Sequence, residues 1–149
     1  MPVASATILR DTIFYIKDWL DGEVTDPISS TRSAVEKFIM TSYPARAVTY
    51  PIITIKDVNS EGVTQLGFQS EAMQHYVTME VRVWARNVKE RDDLADSVYS
   101  KLKDNQIGAT GTSQAADLHD FRLLSSINID DPNGPKSKVM TFRFLFVAV

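Results

Sequence analysis

The chain has 149 residues, no cysteine and a formal net charge of -3 at pH 7. This length fits one domain with a single core, and the absence of cysteine excludes disulfides, thiolate catalysis and cysteine-ligated zinc. The mildly acidic charge gives no general attraction to DNA or to an anionic membrane. No apolar run approaches the roughly 18 residues of a transmembrane helix, so the sequence predicts no membrane partner.

An amphipathic helix is predicted near the N-terminus. Ser5 or Thr7 can cap its start, and Asp21-Gly22 is expected to end it. The apolar positions that recur at helical spacing are Leu9, Ile13, Ile16 and Leu20. Such a stripe needs a sheet or another helix to pack against.

A long arm at 23–48, from Glu23 to Val48, follows this helix with weak periodicity. Its apolar residues are Ile28, Val35, Phe38, Ile39, Met40 and Tyr43. Segments of this length inside a compact domain are commonly functional or held by a partner. Two interpretations stay open: part of the arm rests on a neighbouring subunit, or the arm folds back over its own core.

Three strands are predicted after the arm, at Tyr50 to Val58, Val63 to Gln69 and His75 to Arg86. The turn-forming cluster Asn59-Ser60-Glu61-Gly62 is expected to join the first two as a hairpin. In the third strand, the apolar residues at odd positions from Val77 to Ala85 share one face. The opposite face is predicted to carry Arg82, Trp84 and Arg86.

A second amphipathic helix is predicted directly after the third strand. Asn87 is its expected N-cap and Glu90 completes a capping-box spacing. Its apolar stripe consists of Leu94, Val98 and Leu102, flanked by Ala95 and Tyr99. The first-turn carboxylates complement the helix dipole, which is a more economical account of them than acid–base catalysis.

The C-terminal third is predicted to be a flexible loop at 105–118 followed by a β-hairpin. In its first strand, one face is predicted to carry Phe121, Leu123, Ser125, Ile127 and Ile129, and the other Arg122, Leu124, Ser126 and Asn128. Asp131-Pro132-Asn133-Gly134-Pro135 is a strong turn signal, and Lys138 to Val149 forms the last strand. The sequence therefore predicts an α+β fold in a single domain. It is a mostly antiparallel sheet of about five strands packed with two helices, in the order α-β-β-β-α-β-β.

No motif indicates a catalytic, cofactor-binding or metal site. His75 and His119 are the only histidines, and no second ligand pair stands at a zinc-binding spacing. No G-x-S-x-G elbow or glycine-rich phosphate loop is present. We therefore expect no enzyme and no cofactor. Arg82, Trp84 and Arg86 fit either a weak nucleic-acid platform or a contact with another subunit.

Three segments resemble the tail-terminator (tail-completion) and head-tail connector proteins of long-tailed phages and archaeal head-tailed viruses. They are Tyr50-Pro51-Ile52-Ile53-Thr54-Ile55, Val81-Arg82-Val83-Trp84-Ala85-Arg86, and Arg91-Asp92-x-Leu94-Ala95-Asp96-x-Val98. The order of elements along most of the chain is similar as well. These segments are structural patterns rather than catalytic fingerprints.

The resemblance implies a virion structural protein that forms a homo-oligomeric ring, hexameric in that family, at the head-proximal end of the tail. Such a ring ends growth of the tail tube and joins the tail to the neck. Its implied partners are further copies of itself, the tail-tube protein and the head-completion or neck protein, with DNA only as cargo. The residues expected at subunit contacts are Ile28, Phe38, Ile39, Tyr43, Arg82, Trp84 and Arg86. The alternative is a small α+β module that binds nucleic acid or a ligand.

Overall fold

The computed structural model describes residues 8–45, 47–65, 73–104 and 118–148. Within these ranges the elements are α1 (Ile8–Glu23), β1 (Ile39–Met40), β2 (Ile52–Gln65), β3 (Met73–Ala85), α2 (Val88–Asp104), β4 (Leu118–Asp130) and β5 (Lys136–Ala148). The strands form one sheet in the order β1-β2-β3-β5-β4, antiparallel except for the β1–β2 pair. The predicted α+β class, the mostly antiparallel sheet of five strands and the element order are confirmed.

The core lies between the two helices and one face of the sheet. The five odd-numbered residues of β3 from Val77 to Ala85 all have 0% exposure, as the predicted alternation requires. Helix residues that pack against this face include Ile16 and Leu20 from α1 and Leu94, Val98 and Leu102 from α2. Burial of each large apolar side chain contributes about 1.5–3 kcal/mol, so this face dominates the stability of the fold.

Aromatic rings fill the core beneath the helices at the β5 side of the sheet. Phe142, Phe144 and Phe146 are fully buried on successive inward positions of β5. The Phe121 ring lies 5.2 Å from that of Phe142, and the Tyr15 ring of α1 meets Phe146 edge-on at 5.8 Å. These contacts join α1, β4 and β5 in one cluster.

The predicted turn at Asn59-Ser60-Glu61-Gly62 is wrong, because β2 continues through these residues. The turn-forming residues instead coincide with two register shifts against β3, between Asp57 and Asn59 and between Gly62 and Thr64. Bulges accommodate such residues without ending a strand. The connection to β3 falls at 66–72, outside the described residues, and the additional strand is β1 within the arm.

The predicted alternation along the first strand of the terminal hairpin is also wrong. Two register shifts against β5, between His119 and Arg122 and between Leu123 and Ser125, interrupt β4. Asp120 has a φ of 46° at the first of them. Each extra residue exchanges the two faces of the strand. Phe121 and Leu123 therefore face the helices, whereas Ile127 and Ile129 lie on the opposite face.

The predicted helix cap and hairpin turn are confirmed. The Glu90 N–H donates to Asn87 Oδ1 at 2.9 Å, although the Glu90 carboxylate accepts from the backbone N–H of Arg86 rather than from that of Asn87. In the hairpin turn, a Cβ on Gly134 would lie 2.6 Å from Asp131 Oδ2, so a larger residue there would require the Asp131 side chain to move. The caps Ser5 and Thr7, and the predicted loop at 105–118 except Leu118, lie outside the described residues.

A buried arginine joins the start of α2 to the terminal hairpin. Arg91 is 4% exposed and its Nη1 donates to both carboxylate oxygens of Asp130, at 2.7 and 2.6 Å. Its Nε donates to Asp92 Oδ1 at 2.9 Å, and Lys138 Nζ lies 2.9 Å from the same oxygen. Hydrogen bonds from Arg91 and Lys138 lower the pKa of Asp92 to about 2.

We predict that Asp92 stabilises the fold at neutral pH and ceases to do so in acid. Because its pKa in the folded protein lies below the ordinary value of 3.8, its contribution is present above about pH 4 and is lost as the pH falls toward 2. Urea unfolding should show Asp92→Asn less stable than wild type by about 1 kcal/mol at pH 7, a value reduced by solvent screening. The difference should approach zero near pH 2.

The matched control is Asp96→Asn, which changes an exposed carboxylate on the same helix. It should change stability little at either pH. A difference between wild type and Asp92→Asn that stays constant from pH 7 to pH 2 would contradict the assignment.

Candidate subunit interface

The face of the sheet opposite the helices, here called the open face, carries Arg82 and Trp84 on β3. In the described part of the chain no helix covers this face. The register places Thr54, Arg82, Val139 and Ile127 in one row across β2, β3, β5 and β4. The sequence thus correctly placed Arg82 and Trp84 together on the side of β3 away from the core.

Trp84 is held by several contacts within the chain. The guanidinium carbon of Arg82 lies 3.7 Å from the centre of the indole ring, and the Tyr43 ring lies 4.9 Å from it. The indole Nε1 donates to Thr54 Oγ1 at 3.2 Å. Arg82 and Tyr43 already occupy positions that a stacked base would need, so this geometry does not favour Trp84 as a nucleic-acid platform.

Two arginines on the open face lie against aromatic rings. Besides Arg82, the Arg143 guanidinium lies 4.7 Å from the centre of the Tyr76 ring. Arg82 Nη2 donates to Ser137 Oγ at 3.0 Å, but the Nε atoms of both arginines are buried and lack a hydrogen-bond partner among the described residues. Guanidinium groups tolerate such positions because they stack on aromatic faces and are weakly hydrated.

Arg86 does not join this group, contrary to the alternation predicted for the third strand. β3 ends at Ala85, and the Arg86 side chain turns to the first turn of α2. There it forms an ion pair with Glu90. The cause is the sharp change from strand to helix, which ends the two-residue periodicity one position earlier than predicted.

The arm folds onto the edge of the chain's own sheet. Ile39 is 1% exposed and belongs to the core, and its strand β1 pairs with β2 at Ile53 and Thr54. Phe38 packs against the core, and Ile28 is half-buried. Ile39 is therefore buried within its own subunit and does not belong to the candidate interface. Tyr43 remains 47% exposed beside Trp84.

Arg32 anchors the arm, a role that sequence reasoning missed. Its side chain is 5% exposed and its Nε donates to Asp26 Oδ2 at 2.6 Å. Nη1 donates to the Thr49 carbonyl at 2.9 Å, and Nη2 reaches the Pro51 carbonyl. Burial would raise the pKa of Asp26, but hydrogen bonds from Arg32 and from the Ile28 N–H outweigh it and lower that pKa.

The strongest surface feature is the edge strand β4, which sequence reasoning also did not identify as a site. Four large aliphatic side chains stand exposed within it: Leu123 at 43%, Leu124 at 51%, Ile127 at 57% and Ile129 at 48%. No residue between Leu123 and Ile129 is charged. Several exposed aliphatic side chains along one sheet edge are typical of a protein–protein contact. The uncharged run was visible in the sequence, but its position at an edge was not.

A shallow groove of about 600 Å³ lies between the arm and α2. Its lining mixes both charges: Glu23, Glu90 and Asp93 with Lys89 and Lys101. The described residues contain no group of three potential metal ligands. His75 and His119 pair with Phe146 and Leu145, neighbours on opposite faces of the sheet, so they cannot share a metal ion.

No family model matches the chain, and no curated protein matches its sequence. No helix in the described ranges is both long and apolar enough to cross a membrane. The candidate interface, which consists of the β4 edge and the open face beside it, rests on the geometry of the described residues.

We predict that Arg32→Gln releases the arm without unfolding the sheet. The substitution removes charge-assisted hydrogen bonds to Asp26, each of which typically contributes about 1.5–3 kcal/mol. Local opening should therefore rise roughly tenfold or more. Limited proteolysis should cleave within 33–50 correspondingly faster. Arg10→Gln, at an arginine whose side chain is 68% exposed, should leave the cleavage rate unchanged, and equal rates for the two variants would contradict the anchor.

Proposed function

We propose that this protein assembles into a ring at the head-proximal end of a viral tail, where it ends growth of the tail tube and joins the tail to the neck. The observation that carries this proposal is the exposed aliphatic cluster on the edge strand β4. A chain that exposes such a strand is expected to cover it in its working state.

The two edges of the sheet differ, so a contact that joins one edge to the other is a contact between unlike surfaces. One edge is the long strand β4, and the other is β2 with the two-residue strand β1 and the arm beside it. A contact between unlike surfaces of identical chains repeats around an axis and closes into a ring when the rotation permits. The shape of the subunit is therefore compatible with a ring.

The resemblance to tail terminators supplies the biological setting of the proposal. Of the three segments that carry it, Ile52–Ile55 at the start of β2 pairs with Val81–Trp84 near the end of β3. Arg91 and Asp92 link α2 to the hairpin through Asp130 and Lys138. The described contacts of Arg82, Trp84 and Tyr43 add no specific support to the alternative of a nucleic-acid-binding module.

We predict that the purified protein has the mass of a closed oligomer, about 100 kDa for a hexamer of 16.7 kDa chains. Ile127→Lys should raise the concentration needed for assembly by about 100-fold or more, because a lysine ammonium would have to be desolvated in the contact. Mass photometry and negative-stain images measure the mass of the oligomer and the concentration at which it assembles. Val88→Lys, at a residue of α2 that is 48% exposed, is the matched control and should still form rings. A wild-type protein that stays monomeric at high concentration would overturn the proposal.

The tail function itself is tested by co-expression with the tail-tube protein of the same genome. Wild type should yield tubes with a ring-shaped density at one end and a bounded length. Ile127→Lys should yield tubes as long as those formed without this protein. Wild-type protein that neither binds tube ends nor changes tube length would leave the ring without its proposed role.

A further inference from the structure

We propose that the ring is closed by strand pairing: β4 of one copy pairs antiparallel with the outer edge of β2 of the next copy, so that the sheet continues from subunit to subunit. This inference rests on the proposed ring and specifies its contact. The chemistry that recognises the partner is a row of backbone hydrogen bonds flanked by aliphatic side chains.

β4 offers a regular edge. It has 13 residues, and in the described ranges its only neighbour is β5. Both register shifts lie before Ser125, and from Ser125 to Asp130 each residue pairs in unbroken order with β5. Natural edges are usually blunted by lysine, proline or bulges, and this stretch contains none of them. Ile127 and Ile129 stand exposed on its open-face side.

The outer edge of β2 is the second incomplete edge of the sheet. β1 pairs only with Ile53 and Thr54, so in the described residues β2 has no outer neighbour beyond Thr54. Val58 is 53% exposed there, and Asp57 Oδ1 is buried without a hydrogen-bond partner among the described residues. A buried acceptor without a partner requires an explanation, and an adjoining strand with polar side chains provides one.

Side-chain chemistry fits this pairing. Asp57 pairs with Met79, and Ser126 pairs with Met140. Both methionines belong to the core beneath the helices, so Asp57 and Ser126 lie on that same side of the sheet. Asn128, two residues on, shares that side. Ser126 and Asn128 carry donors that suit the unpartnered oxygen of Asp57.

Strand direction also fits a ring. β4 runs antiparallel to β5, β5 to β3, and β3 to β2, so β4 and β2 point in opposite directions. Rotation about an axis roughly along the strands keeps these directions, and β4 of one copy therefore meets β2 of the next in antiparallel orientation. Pairing of β4 with a second β4 would instead give a two-fold contact that closes at a dimer.

Cysteine cross-linking tests this contact directly because the chain has no cysteine of its own. Lys56 and Ile129 are exposed and lie on the open face, where Lys56 pairs with Glu80 and Ile129 with Ser137. A contact with Lys56 opposite Ile129 sets Asn128 opposite Asp57 and keeps Ser125–Asp130 clear of the residues that pair with β1. Directly opposed residues on adjacent strands lie close enough for a disulfide. The double variant Lys56→Cys with Ile129→Cys, oxidised or treated with a short bismaleimide, should give a ladder of covalent oligomers up to the ring.

A second double variant, Asn59→Cys with Ser125→Cys, covers a neighbouring register, because Asn59 is exposed and pairs with Thr78. The control double variant is Lys56→Cys with Ser100→Cys, whose second position is exposed on α2. It should give no ladder, and each single variant should remain uncross-linked. Mass photometry of every variant before cross-linking establishes whether the ring is present.

The outcomes separate this inference from the proposed function. Rings that yield no ladder with either β2–β4 pair would overturn the strand pairing and leave the ring in place. Dimers formed by Ser125→Cys alone would show a β4–β4 contact and overturn it as well. Absence of any ring in the wild type would remove both proposals.

Discussion

One-sided burial of the central strand is the constraint on which the rest of the structure depends. The inward side chains of β3 from Val77 to Ala85 are fully buried beneath α1 and α2. Because successive strand residues face opposite sides, the same strand must present its other residues to the open face. Within the described ranges both helices lie on one side, so the open face has to be satisfied by its own side chains or by a partner.

Apolar side chains on the open face are covered at its centre but not at its edge. Near the centre, Arg82 and Arg143 cover the rings of Trp84 and Tyr76, which shields apolar surface without a second layer. At the edge, Ile127 and Ile129 have no such cover among the described residues. The contrast places the incomplete part of the subunit at β4. A neighbouring copy that pairs with β4 would cover Ile127 and Ile129.

The spacing of apolar residues along the sequence predicted the elements whose apolar faces are buried in the core. The stripes of both helices, the apolar face of β3 and the Asn87 cap follow from local spacing and were predicted. The bulges in β2 and β4 were not, because an inserted residue depends on pairing with a distant strand. Arg91 with Asp130 and Arg32 with the Pro51 carbonyl were missed for the same reason. The exposed run in β4 could be seen in the sequence, but only the sheet order shows that it forms an edge.

Hydrogen exchange along β4 tests the central claim most directly. An uncovered edge strand exchanges its outward backbone amides rapidly, whereas a paired strand protects them. Exchange of peptides from Leu118–Asp130 should be measured by mass spectrometry on wild type at an assembling concentration and on the monomeric Ile127→Lys variant. The account predicts that the outward amides of these peptides are protected in the wild type and exchange rapidly in the variant, whereas the amides bonded to β5 and those of β3 stay protected in both. Equal, rapid exchange of β4 in an assembled wild-type ring would contradict it.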